Sequence, residues 1–173
     1  VDVRSERKTV GPVSIIRQRS ATNLFFRRSR QHIREDATDL SILWFVKHGK
    51  LAFSNQCGNK IAQPGDFVIT RSMSPFFIEC QIDKDSVQEL LHVTVPTHIL
   101  RRHIQQDFST GLFMPAKRPE LAIAENILTD VFEDDGALGE EAARLLVETA
   151  FTIIGMAVRS SDEATPARQT IAD

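Results

Sequence analysis

Tyrosine is absent from this 173-residue chain, tryptophan occurs once and cysteine only twice. Without tyrosine there is no phenol to act as acid, base or nucleophile. Cys57 and Cys80 form no C-x-x-C pair, which excludes a disulfide framework and a thiolate metal cluster. Such thiols are expected to be small buried hydrophobes, reduced in a cytoplasm. No apolar run approaches the roughly 18 residues of a membrane span, and no basic–apolar–small order marks a signal peptide. Val at position 1 leaves the true N-terminus open. Also missing are H-E-x-x-H, G-x-S-x-G, a phosphate loop and G-x-G-x-x-G, so the commoner hydrolase and nucleotide signatures are excluded. Glu133-Asp134-Asp135-Gly136 has the composition of a calcium loop without its alternating donors and reads as an acidic hinge.

What is present is an ordinary globular composition, 42 % hydrophobic and 25 % charged, with a charge split hidden in the net −2. Residues 1–34 carry nine basic and two acidic groups, residues 35–118 balance, and residues 119–173 carry three basic against twelve acidic. The basic arm could contact nucleic acid phosphates, but it lacks any recognised docking motif. The two oppositely charged ends could instead meet within a subunit, across a dimer or around an anionic ligand.

Short β-branched and aromatic segments recur at 13–19, 23–33, 40–47, 51–55, 67–70, 76–82 and 87–95, separated by Gly, Pro, Asn and Asp turns. That spacing predicts an antiparallel sandwich or barrel. After Val95 the period changes. A short helix is expected within 96–107, a second opening at Pro119 and a third over 140–158 with Glu140 and Glu141 at its positive end. The expected organisation is therefore a β region at 1–95, a helical region with a hairpin at 96–160 and a linker at 161–173.

The most informative stretch is Trp44-Phe45-Val46-Lys47-His48-Gly49-Lys50, followed by Ile61-Ala62-Gln63-Pro64-Gly65-Asp66-Phe67-Val68-Ile69. A strand ends in a glycine turn, and a Pro-Gly-Asp turn launches another apolar strand. This resembles the cupin barrel, and with the helical hairpin behind it the chain is similar to the N-terminal effector-binding and dimerisation domain of AraC/XylS-family transcription regulators. The resemblance implies a fold that is mainly β with C-terminal helices: a cupin-like jelly-roll barrel followed by an α-helical hairpin. It also implies a cytoplasmic bacterial protein, a small-molecule effector and a homodimer formed through the C-terminal helices. DNA contact would fall to a helix-turn-helix domain outside this sequence, beyond the polar tail.

Many cupins hold a metal through G-x5-H-x-H-x3,4-E-x6-G and G-x5-P-x-G-x2-H-x3-N. Setting the first motif's last glycine on Gly49 puts Ile42 at the glutamate, with Asp36 and Thr38 (or Glu35 and Ala37) at the histidines. Starting the second at Gly65 puts Arg71, Met73, Phe76 and Cys80 at its Pro, Gly, His and Asn. Apolar Ile42 and Phe76 cannot ligate, so a metal-free barrel with no cofactor and no catalytic residues is expected. The alternative is a metal-dependent cupin enzyme using ligands such as His32, His48 and His92. A purely structural interaction module is the third possibility.

The same alignment to the cupin motifs, combined with alternation along the strands, implies that Ile42, Trp44, Val46, Phe76, Ile78 and Cys80 point into the barrel, with Phe67 and Ile69 as further candidates. These would suit an apolar or aromatic effector, Trp44 offering a stacking face; they equally suit a filled core. Continuing the parity upstream would turn Arg28, Arg30, His32 and Arg34 inward, which cannot all be buried unpaired. Either a bulge breaks the parity or they sit at an open mouth, where Arg30 and His32 could hold an anionic effector; solvated strand residues are the plainer account. On the last helix Leu146, Ala150, Ile153 and Ala157 share one face, expected either to pair two subunits or to pack on the barrel.

Overall fold

A computed structural model describes residues 3–56, 58–84, 86–115 and 118–164, so the expectations for Cys57 and for residues 165–173 lie outside the described residues. The chain opens with a hairpin, β1 (Val3–Val10) and β2 (Val13–Ser20), turning at Gly11-Pro12. β3 (Leu24–Arg28) is followed by a single helical turn and a half, α1 (Arg30–Glu35). Then come β4 (Leu40–His48), β5 (Lys50–Asn55), β6 (Gly58–Ala62), β7 (Phe67–Arg71), β8 (Phe76–Gln81) and β9 (Gln88–Pro96). α2 (Thr97–Leu100) and β10 (Leu112–Met114) lead to α3 (Pro119–Glu133) and α4 (Glu140–Ala164).

All strand pairs are antiparallel and form two sheets, a six-stranded one in the order β1-β2-β9-β4-β7-β10 and a four-stranded one in the order β3-β8-β5-β6. This is the antiparallel architecture that the strand spacing predicts. One apolar cluster, including Trp44, Leu51, Ile78 and Leu90, fills the space between the sheets. A larger one joins the outer face of the six-stranded sheet to α3 and α4 through Ile15, Leu43, Val93, Leu128, Phe151 and Ile154. Each such fully buried side chain contributes about 1.5–3 kcal/mol. Sheet and hairpin share a core, so the change of secondary structure near residue 95 does not separate two cores.

Gly49 shows why the β4–β5 turn needs glycine. Its φ is +81°, and a Cβ there would stand 2.5 Å from the Gln81 carbonyl oxygen. Pro119 opens α3 as expected, and the two glutamates stand in the first turn of α4.

Three expectations are corrected, and one strand is added. β1 gives no sequence signal because Arg4, Glu6 and Lys8 alternate with other polar residues, as suits a charged edge strand. The 23–33 strand stops at Arg28, because the Ser29 side chain accepts the His32 N–H and starts α1. The helix expected within 96–107 is only α2, four residues long. α4 continues through Ala164, so the first residues of the expected linker are helical.

Candidate functional site

Strand register explains what faces the space between the sheets. Trp44 lies opposite His92 on β9 and Val68 on β7; Ile42 lies opposite Thr94 and Thr70, and Val46 opposite Leu90. Ile78 and Cys80 face them from the other sheet. Trp44, Val46 and Ile78 are at most 1 % exposed, and Ile42 and Phe76 are half-buried against them. The faces of Trp44 are taken within the protein: His92 stacks on it at 5.0 Å and 14°, and Phe26 meets it edge-on at 5.5 Å. Its Nε1–H donates to Thr70 Oγ1 at 2.9 Å. These residues form a packed interior.

Phe67 is corrected. With Val68 opposite Trp44, alternation turns Phe67 and Ile69 to the other face, where Phe67 packs against Phe45 at 5.0 Å in the core shared with the helices.

The packed interior also holds polar groups. Ile16 lies opposite His92, Gln18 opposite Leu90 and Ser20 opposite Gln88, which places Gln18, Gln88 and His92 on one inner face. Gln18 Nε2, both amide atoms of Gln88 and His92 Nε2 are buried without a hydrogen-bond partner among the described residues. Each group left so costs on the order of 1–3 kcal/mol. Burial, assisted by the nearby Arg7 charge, lowers the His92 pKa to about 4, so the imidazole is neutral near pH 7. Burial also pushes the Cys80 thiol up to about 12, which leaves it unreactive. Neither glutamine was singled out from sequence; the alternation of β2 and β9 carries the signal.

At one end of the barrel, α1, β3, β5 and β8 frame an open cleft of about 420 Å³. Arg27, Arg28 and Arg30 line it together with Ser54, Asn55, Phe76 and Phe77. Arg28 is committed to the fold: its Nε donates to the Ser72 carbonyl at 2.9 Å and its Nη2 to the Asp36 carbonyl at 2.6 Å. Arg27 and Arg30 make no ion pair among the described residues. The parity that turned four basic residues inward is broken by α1, not by a bulge. His32 is diverted by the same helix, since its Nδ1 accepts the Ser29 N–H at 3.2 Å while its own N–H caps on Ser29. Of the anion-binding pair expected at the mouth, Arg30 lines the cleft and His32 does not.

The three histidines of the metal-enzyme alternative do not converge: His32 caps α1, His48 is exposed at the end of β4, and His92 is stacked on Trp44. Among the described residues no cluster of three His, Cys, Asp or Glu could hold a metal ion.

The helical hairpin is fastened to β1, β2 and β4. Lys8 Nζ donates to the Asp134 carbonyl at 2.9 Å and pairs with its carboxylate at 3.4 Å, Arg17 pairs with Glu133 at 2.9 Å, and Lys47 pairs with Glu125 at 3.0 Å. Part of the charge split in the sequence is thus resolved inside one subunit. The expected α4 face is corrected in part, because Ala150 and Ala157 are fully buried in the subunit's own core and offer no surface. Leu146 and Ile153 are half-buried at its margin. Among the described residues the large apolar side chains that α4 exposes are Leu145 (65 %) and Met156 (53 %), with Thr149 and Thr152 between them at helical spacing.

No protein-family model matches the sequence, and no curated protein matches it either. Solved structures do. The AraC-like transcriptional activator CuxR is similar with a TM-score of 0.75 at 14 % identity, over 91 % of this chain and 55 % of that one. An apo ToxT variant from Vibrio cholerae strain SCE256 is similar with a TM-score of 0.62 at 10 % identity, over 91 % of this chain and 59 % of that one. ToxT from Vibrio cholerae O395 reaches 0.56 at 10 % identity. The chain spans little more than half the length of these proteins, and at such identities the likeness establishes a shared fold.

Proposed function

We propose that this chain is the ligand-sensing and dimerisation part of a bacterial, cytoplasmic AraC-type transcription regulator, and that its effector is a small anion with a flat apolar body. The observation that carries the effector class is the mouth cleft, where Arg27 and Arg30, which make no ion pair among the described residues, stand beside Phe76 and Phe77. Guanidinium is well matched to a carboxylate, and phenylalanine rings to a flat apolar body. The packed interior around Trp44, Val46 and Ile78 supports binding at the mouth. The fold shared with the AraC-like transcriptional activator CuxR supports the regulator class; in this reading DNA contact falls to a separate helix-turn-helix domain. No cofactor takes part in this scheme.

Dimerisation falls to the exposed α4 stripe of Leu145, Thr149, Thr152 and Met156. Coupling between effector and hairpin runs through the basic strands, because Arg17 sits between lumen-facing Ile16 and Gln18 and holds the end of α3.

A thermal-shift screen of aromatic acids, aromatic amines and sugars tests the effector class. Acids alone should raise Tm, and Arg27→Ala or Arg30→Ala should weaken their binding roughly ten-fold each. Stabilisation by amines or sugars alone, or indifference to both arginines, would contradict the assignment.

A further inference from the structure

A second cavity lies where the β1–β2 turn, α2 and α4 meet. It is a half-enclosed space of about 80 Å³. Its floor is apolar, built from Val13, Ile99, Val147 and Phe151, of which all but Ile99 are buried. Two arginines stand at its rim on different elements: Arg102 follows α2 and Arg144 lies in the first turns of α4. Neither guanidinium makes a hydrogen bond or ion pair among the described residues. Glu148, one turn after Arg144, also lines the cavity but is not paired with it. An arginine placed N-terminal to a glutamate is the weaker order for a helical i, i+4 pair, which fits Arg144 remaining available.

We infer that this cavity is a second ligand site, taking a short-chain aliphatic carboxylate. The apolar floor accepts the alkyl part, and the two guanidinium groups supply charge-assisted donors for the carboxylate oxygens. The size selects the class. An engineered cavity of about 150 Å³ admits benzene, and liquid water occupies about 30 Å³ per molecule, so this space suits an alkyl group of a few carbons and not an aromatic ring. The net charge of its rim, two arginines against one glutamate, favours an anion over an amine. A ligand bridging Arg102 and Arg144 would tie the start of α4 to the segment after α2. This site shares no residue with the mouth cleft and does not depend on its ligand.

Methyl NMR titration tests it with butyrate, n-butanol and n-butylamine as probes. Butyrate should give saturable shifts at Val13, Ile99 and Val147 that the alcohol and the amine do not reproduce. Arg102→Ala and Arg144→Ala should each weaken butyrate binding roughly ten-fold, while Arg27→Ala and Arg30→Ala leave it unchanged. Val147→Phe, which fills the floor, should abolish it; the arginine variants carry the test if that variant does not fold. Absence of saturable shifts, equal response to the alcohol or amine, or binding indifferent to both rim arginines would overturn the assignment.

Discussion

Arg17 Nη1 donates to Glu133 Oε1 at 2.9 Å while its guanidinium carbon lies 4.9 Å from the centre of the Phe132 ring. One side chain of the second strand thus grips the last turn of α3 by charge and by ring contact. Arg17→Ala should loosen the hairpin, and a double-mutant cycle with Glu133→Gln should give a coupling below about 1 kcal/mol that shrinks in high salt. Urea denaturation at low and high ionic strength measures it; a coupling that salt leaves unaltered would remove the ionic part of the explanation.

His92 sets a pH dependence with a definite sign. Its folded pKa, about 4, lies below the ordinary 6.5, so between these values the unfolded chain binds the extra proton and stability falls as pH falls. The loss reaches about 3 kcal/mol and is complete only below about pH 4. His92→Phe keeps a ring against Trp44 and should flatten that slope. The readout is the difference in unfolding free energy between neutral and mildly acidic pH, and an unchanged slope in the variant would assign it to other groups.

Gly155 faces the loop after α2, where an added Cβ would stand 2.0 Å from the His103 carbonyl oxygen. Glycine to alanine inside a helix ordinarily stabilises by up to about 1 kcal/mol. Here Gly155→Ala should destabilise by about 1–3 kcal/mol, because backbone must move apart. Thermal unfolding decides the sign.

The three mouth arginines should separate by role. Arg28→Ala removes donors to two carbonyls, Ser72 and Asp36, and should lower Tm without ligand. Arg27→Ala and Arg30→Ala should leave the unliganded protein within about 0.5 kcal/mol of the parent. Equal destabilisation by all three would mean that the cleft is held together by charge and is not free to bind.

Much of this architecture was legible in the residues. Pro64-Gly65-Asp66 and Gly49 marked real turns, Pro119 marked the start of α3, and alternation placed Trp44, Val46 and Ile78 inside. What was illegible has physical reasons. Phe67 needed the register of β4 on β7, which fixes Val68 opposite Trp44 and which no single strand reveals. α1 hides because its capping box uses His32 where glutamate or glutamine is usual. On α4, Ala, Leu and Ile cover more than one stripe, so periodicity could not separate the face against the core, with Ala150 and Ala157, from the exposed one with Leu145 and Met156.

Sedimentation equilibrium on the parent, Leu145→Glu and Met156→Glu tests the central claim of a dimerising sensor most directly. The account predicts a dimeric parent and monomeric, still folded glutamate variants, with Ile153→Asp destabilising the subunit itself. A parent that stays monomeric over the accessible concentration range, or glutamate variants that remain dimeric, would contradict it.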